Sequence, residues 1–409
     1  MTNAKRKVLV AGAGIGGLAA ALALLRSGFD CEVHEQATEL REVGAGLWLS
    51  VNGTRIFQEL GLEAELRAAS IAADARLVRL WNSGEEMPLY RHGDSAATHQ
   101  PFLLLRAHLL KILVDAVRRE KPDAIHLNAR CTGFRQDDDG AWLLRQDGSE
   151  IRGDVVIGAD GVHSRIRDQV FGPVPSHYTN AIAWRGLVPM DRLSPHQRAH
   201  VVATWVGPNA HVTVYPVRWQ GTDLLTFSGQ VEHAGWQGES WSEKGAKADC
   251  LQDFAGWHAD IVEMITAVDT LHKWGLFVRD PLPHWSEGRV TLVGDACHSM
   301  VPYLGQGVNM AVEDAWVLAR CLGAAPGDPV AALSRYEAAR RERTARVAAG
   351  AAAMQTVFHN QALARPETAM DYVRAQWSPA ANAARYDWIY RYDAISEPLP
   401  AAALAGAAA

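Results

Sequence analysis

The stretch VLVAGAGIGGLAAALALLRSGFDCEVHE, residues 8–35, decides the fold. It passes from a β-branched segment through a glycine turn into an alanine- and leucine-rich helix, then into a second short β segment that ends on an acid. Gly12, Gly14 and Gly17 stand at G-x-G-x-x-G spacing. The first permits a tight turn out of the strand, the second lets backbone approach a pyrophosphate, and the third lets helix and strand pack closely. The helix that starts near Gly14, with Ile15 in its first turn, then points free N–H groups and a positive dipole end at the phosphates. Glu35, about twenty residues on, can accept hydrogen bonds from the ribose hydroxyls of an adenosine. A carboxylate disfavours a 2′-phosphate at that point, so FAD or NAD(H) fits this site better than NADP(H).

Composition sets the frame around this unit. A chain of 409 residues has room for two or three domains. Its 48% hydrophobic and 21% charged residues are those of an ordinary globular protein. The net charge of −6 comes with no basic block, which speaks against nucleic acid and anionic membrane surfaces as partners. Lys5-Arg6-Lys7 before an apolar run resembles a secretory leader in outline. The run holds four glycines, however, and no small-x-small cleavage site before Arg26. The five cysteines are scattered and never form C-x-x-C, so a reduced, cytoplasmic setting without disulfide or metal framework is expected. The sixteen histidines include no H-x-x-x-H pair beside an acid in a helical context, and no metal site is expected.

Along the chain, Gly44-Ala45-Gly46 reads as a turn into a short strand, and Asn52 as the cap of a helix running to Leu60. Residues 77–89 alternate like a strand pair around Asn82-Ser83-Gly84. Helical spacing follows Arg106, and 124–151 reads as three strands joined by aspartate–glycine turns. Residues 154–160 form a buried, parallel-type strand. From 181 to 231 the texture is that of a separate antiparallel sheet. A surface loop (235–247) and a helical segment (248–268) come next, and the chain returns to the first domain at Val278. A buried strand at 290–293 leads through a glycine-rich turn to a helix over 309–322. The helix over 331–353 presents Arg340-Arg341-Glu342-Arg343 as a solvated face, and an aromatic tail precedes an alanine-rich end.

Three separated motifs now stand together: GAGIGG at 12–17 with its preceding strand, GADGVHSRIR at 158–167, and GDACHSMVPYLGQGVN at 294–309. As a set the chain resembles the single-component FAD-dependent aromatic hydroxylases, which include salicylate, 3-hydroxybenzoate and 6-hydroxynicotinate hydroxylases. The likeness extends to about Arg346. It implies an α/β fold: a Rossmann-like FAD-binding domain interleaved with an antiparallel-sheet substrate domain, plus C-terminal helices. The FAD-binding parts are then residues 1–75, 101–180 and 278–325; the substrate-domain parts are 76–100 and 181–277; and 326–409 form the helical segment and tail.

The resemblance also implies roles. Asp295 would bind ribityl or ribose hydroxyls, and Gly305, Gly307, Val308 and Asn309 would offer backbone N–H groups to the flavin ring edge. Gly46 and Arg106 would contact the flavin, Asp160 would serve both the pyrophosphate region and the nicotinamide, and Arg167 would be structural. No second dinucleotide fingerprint is present, so NADH, or NADPH, is expected to bind transiently as reductant. The expected reaction is hydroxylation of an aromatic or N-heteroaromatic hydroxy-acid with O2, through a flavin C4a-hydroperoxide.

The protein must bind the ring, help ionise its hydroxyl and exclude water. In GPNAHVTVYP, His211 and Tyr215 lie four apart and share one face of a strand. The segment looks like a G-P-x-x-H-x-x-x-Y-P pattern in the hydroxybenzoate and hydroxynicotinate members, which makes these two the candidate catalytic residues. Arg185 is either a carboxylate anchor or the partner of an acid. Pro302 is expected near flavin and substrate, and Trp48 would favour stacking over hydrogen bonding where the hydroxynicotinate relative has a histidine. An FAD oxidase or epoxidase acting on a non-aromatic substrate, and a non-enzymatic flavin-binding regulator, remain as alternatives. Oligomeric state is open, a homodimer included.

Overall fold

The computed structural model describes residues 5–40, 46–91, 101–236 and 243–401. The expected turn at Gly44 and Ala45, residues 92–100, the middle of the 235–247 loop and the alanine-rich end from 402 lie outside the described residues.

The opening motif builds the first sheet. Strand β1 (Lys7–Ala11) lies between β2 (Asp30–His34) and Val155–Gly158, with Ile125–His126 beyond β2 and Val290–Leu292 beyond Val155–Gly158. All these neighbours run parallel; Val10, for instance, pairs with both Ile157 and Val33. Only the edge strand Ser286–Glu287 is antiparallel. Helix α1 (Ile15–Arg26) is apolar almost all round because it is covered on every side. It packs under the sheet and against the helices Arg106–Glu120 and Gly307–Ala324. Parallel strands bring their C-terminal ends to one edge, so the turns after Ala11, His34, Gly158 and Leu292 converge there.

The second sheet has eight strands in the order Lys244–Gly245, Leu271–Arg279, Ser176–Pro189, Thr222–Glu232, Ala210–Trp219, Val201–Gly207, Ala75–Leu80 and Glu86–Arg91. It is antiparallel as expected except for one pair. Val201–Gly207 runs parallel to Ala75–Leu80, which no hairpin constrains because the strands come from distant parts of the chain. Two-residue alternation divides this sheet sharply. One face carries Trp184, Trp205, Val212, Val214 and Phe227 into a core with Phe254, Trp257, Ile261 and Ile265 of the helical layer. The other face is mixed: Val78, Leu80, Ala183, Val206 and Leu276 pack against the C-terminal helices, while Thr204, Thr213, Thr226, Ser228 and Gln230 form a polar floor of a cavity beneath the first sheet.

Three local expectations are corrected. The segment 248–268 is two helices, Lys247–Asp253 and Ala259–Ala267, broken where Gly256 takes a φ of +80°. Asn52 is not a cap: Ser50 precedes the helix Val51–Glu59, while the Asn52 amide is buried and donates to Gln306 Oε1 (3.0 Å) and Glu313 Oε1 (2.7 Å). The run 340–343 is a solvated face only at Arg341 and Glu342, which are exposed. Arg340 in the helix Pro329–Phe358 is fully buried against Glu313 (2.6 Å) and Asp314 (2.8 Å), and Arg343 reaches Glu313 at 2.8 Å. After that helix, short turns of chain through Tyr386 and Tyr390 close over the cavity.

Candidate functional site

Two cavities meet where the sheet edges face each other. The inner one, about 330 Å³, lies between the polar floor and the turns of the first sheet. The outer one opens along the C-terminal edge past Gly12, Glu35, Arg106, Asp160 and Asp295. Gly14, Arg106, Asp295 and Arg185 line both, so the two form one continuous channel.

The cofactor end is made of backbone. Gly12 has a φ of +102°, and a Cβ there would lie 2.6 Å from the Ala159 carbonyl oxygen. A Cβ on Gly17 would lie 2.1 Å from the Gly12 oxygen, so this residue serves packing and does not line either cavity. Gly14 has open space within 4 Å of its missing Cβ, facing the channel. That space beside the unbonded N–H groups of α1 fits a pyrophosphate. The Glu35 carboxylate accepts from Ala13 N (2.8 Å) and Ala37 N (2.9 Å), and a carboxylate has further lone pairs to offer ribose hydroxyls. Asp160 caps the turn that follows its strand, accepting from Ser164 Oγ (2.5 Å) and Arg165 N (2.7 Å). Arg167 is buried on Val162 O, in keeping with a structural part.

The segment after Leu292 forms the wall between cofactor end and floor. Pro302, Gly305, Gly307 and Val308 line the inner cavity, as do Ile15 and Gly46. Gly305 sits in the left-handed region (φ +64°) and turns the chain into the helix Gly307–Ala324, whose first N–H groups face the cavity. Asn309 does not line it. Its amide accepts from Ser50 N (3.0 Å) and donates to Trp48 O (3.2 Å) and Gly305 O (2.9 Å), which ties the Trp48 strand to this turn. Behind the wall, Asp314 accepts from Gly294 N (3.2 Å) and pairs with His298 (2.5 Å) as well as Arg340, so the buried charges fix the whole segment.

The other end of the inner cavity is made of side chains. His211, Thr213 and Tyr215 project from Ala210–Trp219, and Thr226, Ser228 and Gln230 from the neighbouring strand. His211 is buried, touches Tyr303 and Phe358, and its Nδ1 lies 2.7 Å from His359 Nε2. Burial, and then the neighbouring His359, hold His211 well below the ordinary imidazole range, so it is neutral at physiological pH. Burial pushes the Tyr215 phenol up to about 12, with the Arg185 charge acting the other way. Tyr215 is therefore a neutral phenol and His211 a neutral base. Trp48 stands edge-on to Tyr215 at 6.3 Å.

Two arginines reach the cavity from opposite ends of the floor, four strand spacings or roughly 19 Å apart. Arg185 lies over Trp274 at 4.9 Å with its Nε unbonded, and no acid pairs with it among the described residues. Of the two alternatives for Arg185, an acid partner is not found among the described residues. Arg76, which the sequence does not single out, lies 4.8 Å over the Trp48 ring and 5.6 Å over Tyr386. Among the described residues no carboxylate pairs with it either. The only sequence signal for Arg76 is a lone cation sharing a strand face with Val78 and Leu80. Two groups of metal-ligand type also occur, Glu32-His34-His126 and Cys297-His298-Asp314. Lys7 and Lys121 pair with Glu32, and Arg340 with Asp314, so these acids already have cations.

A parallel dinucleotide sheet joined across one channel to an antiparallel sheet, with no second nucleotide fingerprint in the sequence, fits the flavin monooxygenases that the sequence motifs resemble. The chain belongs to that family: the model of the FAD-binding domain matches residues 5–351, and the protein is an FAD-dependent aromatic monooxygenase of this kind. It is 37% identical to a 3-amino-4-hydroxybenzoate 2-monooxygenase of Streptomyces platensis, over 96% of this chain and 98% of the relative. It is 34% identical to a 6-hydroxynicotinate 3-monooxygenase of Bordetella bronchiseptica, over 97% of both. Among solved structures it resembles Klebsiella pneumoniae HpxO complexed with FAD and uric acid, with TM-score 0.78, 29% identity, and 96% of this chain and 97% of that one covered. It shares its fold with a salicylate hydroxylase substrate complex, with TM-score 0.81, 24% identity, and 98% and 100% covered. The oxidase and regulator alternatives do not describe this family. Among the described residues no helix is long and apolar enough to cross a membrane.

Proposed function

We propose that the protein hydroxylates a six-membered aromatic or N-heteroaromatic ring bearing both a hydroxyl and a carboxylate, with NAD(P)H and O2 as co-substrates. The observation that carries this reading is the pairing, in one cavity, of a neutral base with a guanidinium that no described acid neutralises. His211 takes the ring hydroxyl's proton and so raises electron density at the carbon that receives oxygen. Tyr215 donates a hydrogen bond to the same oxygen, Trp48 lies against the ring, and Pro302 closes the flavin side. The carboxylate goes to Arg76, a half-buried, permanently charged guanidinium whose side-chain partners among the described residues are the phenols of Tyr386 and Tyr390 rather than an anion. Arg185 is the weaker choice: it stands at the channel junction near Arg106, where phosphate and nicotinamide must pass.

Hydride uptake from NAD(P)H and activation of O2 are the chemistry that bound FAD supplies. Gly12, Gly14, Glu35 and Asp295 would hold its dinucleotide half, and Gly46, Arg106, Gly305, Gly307 and Val308 its ring. Names of relatives support the substrate class, since 3-amino-4-hydroxybenzoate, 6-hydroxynicotinate and 3-hydroxybenzoate all join hydroxyl and carboxylate on such a ring. The test is a panel of these acids, with matched phenols lacking the carboxylate and benzoates lacking the hydroxyl, assayed with NADH and with NADPH. Stimulated reductant oxidation with stoichiometric hydroxylated product is expected only when both groups are present. Equal turnover of carboxylate-free phenols would overturn the assignment of Arg76.

A further inference from the structure

His211 is not the end of its hydrogen-bond chain. Its Nδ1 lies 2.7 Å from His359 Nε2, and His359 Nδ1 lies 3.1 Å from Glu232 Oε1. His359 directly follows the helix Pro329–Phe358, and Glu232 ends the strand Thr222–Glu232, so two elements far apart in sequence meet behind the cavity wall. The His359 side chain is 1% exposed, whereas Glu232 is 39% exposed. The three side chains thus lead from the substrate cavity to solvent. Among the described residues the other titratable group whose ring packs on His211 is Tyr303, a phenol whose ionisation burial makes harder.

Hydrogen-bond valence fixes the direction of the chain. An ionised carboxylate only accepts, so His359 must donate from Nδ1. A neutral imidazole has one N–H, so His359 Nε2 accepts, and His211 must donate from Nδ1. Nε2 of His211, which has no partner among the described residues, is then left as a bare lone pair at the cavity. Burial draws His359 down to about 4, with Glu232 acting the other way, which keeps this imidazole neutral at rest.

We infer that Glu232 and His359 are positioning residues that set the His211 tautomer and carry the substrate's hydroxyl proton to the surface. The inference rests on the proposed reading that a ring hydroxyl binds beside His211. In the step, the substrate O–H bond breaks and an N–H bond forms at His211 Nε2. The His211 Nδ1 proton passes to His359 Nε2, the His359 Nδ1 proton passes to Glu232, and the carboxyl releases it to water. Carbonyls at the C-terminal end of the long helix favour the transient positive charge on His359. The proton taken from the substrate stays on His211 Nε2 as a hydrogen bond to the phenolate, while one proton leaves through Glu232, so the cavity gives up one net positive charge and the phenolate form of the substrate persists.

The test uses holoenzyme with ¹⁵N-labelled histidine, with FAD content and thermal unfolding as checks on folding. In the wild type, His211 should give the Nδ1–H signature. His359→Leu removes the acceptor and should lose that signature, whereas His359→Gln keeps an acceptor near Nε2 and should retain it. Glu232→Gln, at a half-exposed site, should preserve FAD binding and KM for the best acid while kcat falls by up to about 10²-fold, within the reach of general-base help. An unchanged His211 tautomer in His359→Leu would overturn the positioning claim, and an unchanged kcat in Glu232→Gln would overturn the proton exit. The nitrogen spectra need no substrate. If no acid in the panel is turned over, the proposed substrate class fails, while the tautomer experiment still decides whether His359 orients His211.

Discussion

The two ends of the channel are built on different rules. At the cofactor end the working surface is main chain, gathered from turns that each occupy a few consecutive residues after a parallel strand. At the substrate end it is side chain, taken from every second residue of strands spread between Ala75 and Glu232 and from the C-terminal turns. The first rule selects for what a residue lacks, and the second for what it offers. Substitutions should therefore fail in different ways, and Gly17 with Gly14 makes the sharpest contrast. A side chain on Gly17 collides with the Gly12 carbonyl, so Gly17→Val should cost more than about 3 kcal/mol and give little soluble protein. Gly14→Ala meets no protein atom; the fold should survive while FAD occupancy falls. Soluble yield and flavin absorbance per chain distinguish the two, and a stable Gly17→Val holoprotein would break the comparison.

The joint between the ends is the next largest effect. Arg340 holds Glu313 and Asp314, and through them the wall segment that both ends share. Arg340→Met leaves Asp314 with His298 and Glu313 with Arg343, yet buried carboxylates lose a partner. Breaking a buried pair in this way costs about 3–5 kcal/mol. Thermal unfolding of the holoprotein should register it, and an unchanged midpoint would show the network to be dispensable.

Legibility in the sequence follows the same division. The opening motif can be read because its strand, turn, helix and acid are contiguous, and the same holds for the turns after Gly158 and Leu292. His211 and Tyr215 are readable as a pair because one strand carries both. Arg340 looks solvated in the sequence because its partners lie on another helix, and a run of charges carries no mark of burial. Asn52 suffers likewise, since Gln306 and Glu313 are 254 and 261 residues away. His359 and Glu232 carry no local signal at all, because only the folded chain brings the end of a helix to the end of a strand.

Arg76 tests whether the side-chain end acts as a charge site. Arg76→Met leaves an apolar side chain beside Trp48 and removes the guanidinium that stacks on its ring. A charged hydrogen bond contributes about 1.5–3 kcal/mol, which corresponds to roughly 10- to 150-fold weaker binding of the aromatic acid. FAD content should not move. Measured by titration of the flavin absorbance with the best acid, a loss confined to carboxylate-bearing ligands would sharpen the comparison, and an equal loss for neutral phenols would reduce Arg76 to packing.

The smallest effect separates two residues on one strand. Burial holds the Tyr215 phenol near 12, so at pH 7 to 9 it is protonated and can give a hydrogen bond but cannot take the substrate's proton. Tyr215→Phe keeps the ring edge against Trp48 and the close contact with Gly46, so the cavity wall stays in place. What is lost is one hydrogen bond to the ring oxygen, about 0.5–1.5 kcal/mol net, or roughly 2- to 12-fold in kcat/KM. His211→Ala removes the base itself and should cost about 10²–10⁴-fold, with more of the NADH electrons appearing as hydrogen peroxide. Product and peroxide measured together in the two variants decide the order. If Tyr215→Phe lost as much as His211→Ala, the phenol would have to be the base, and its burial among apolar neighbours would have to be relieved when substrate binds.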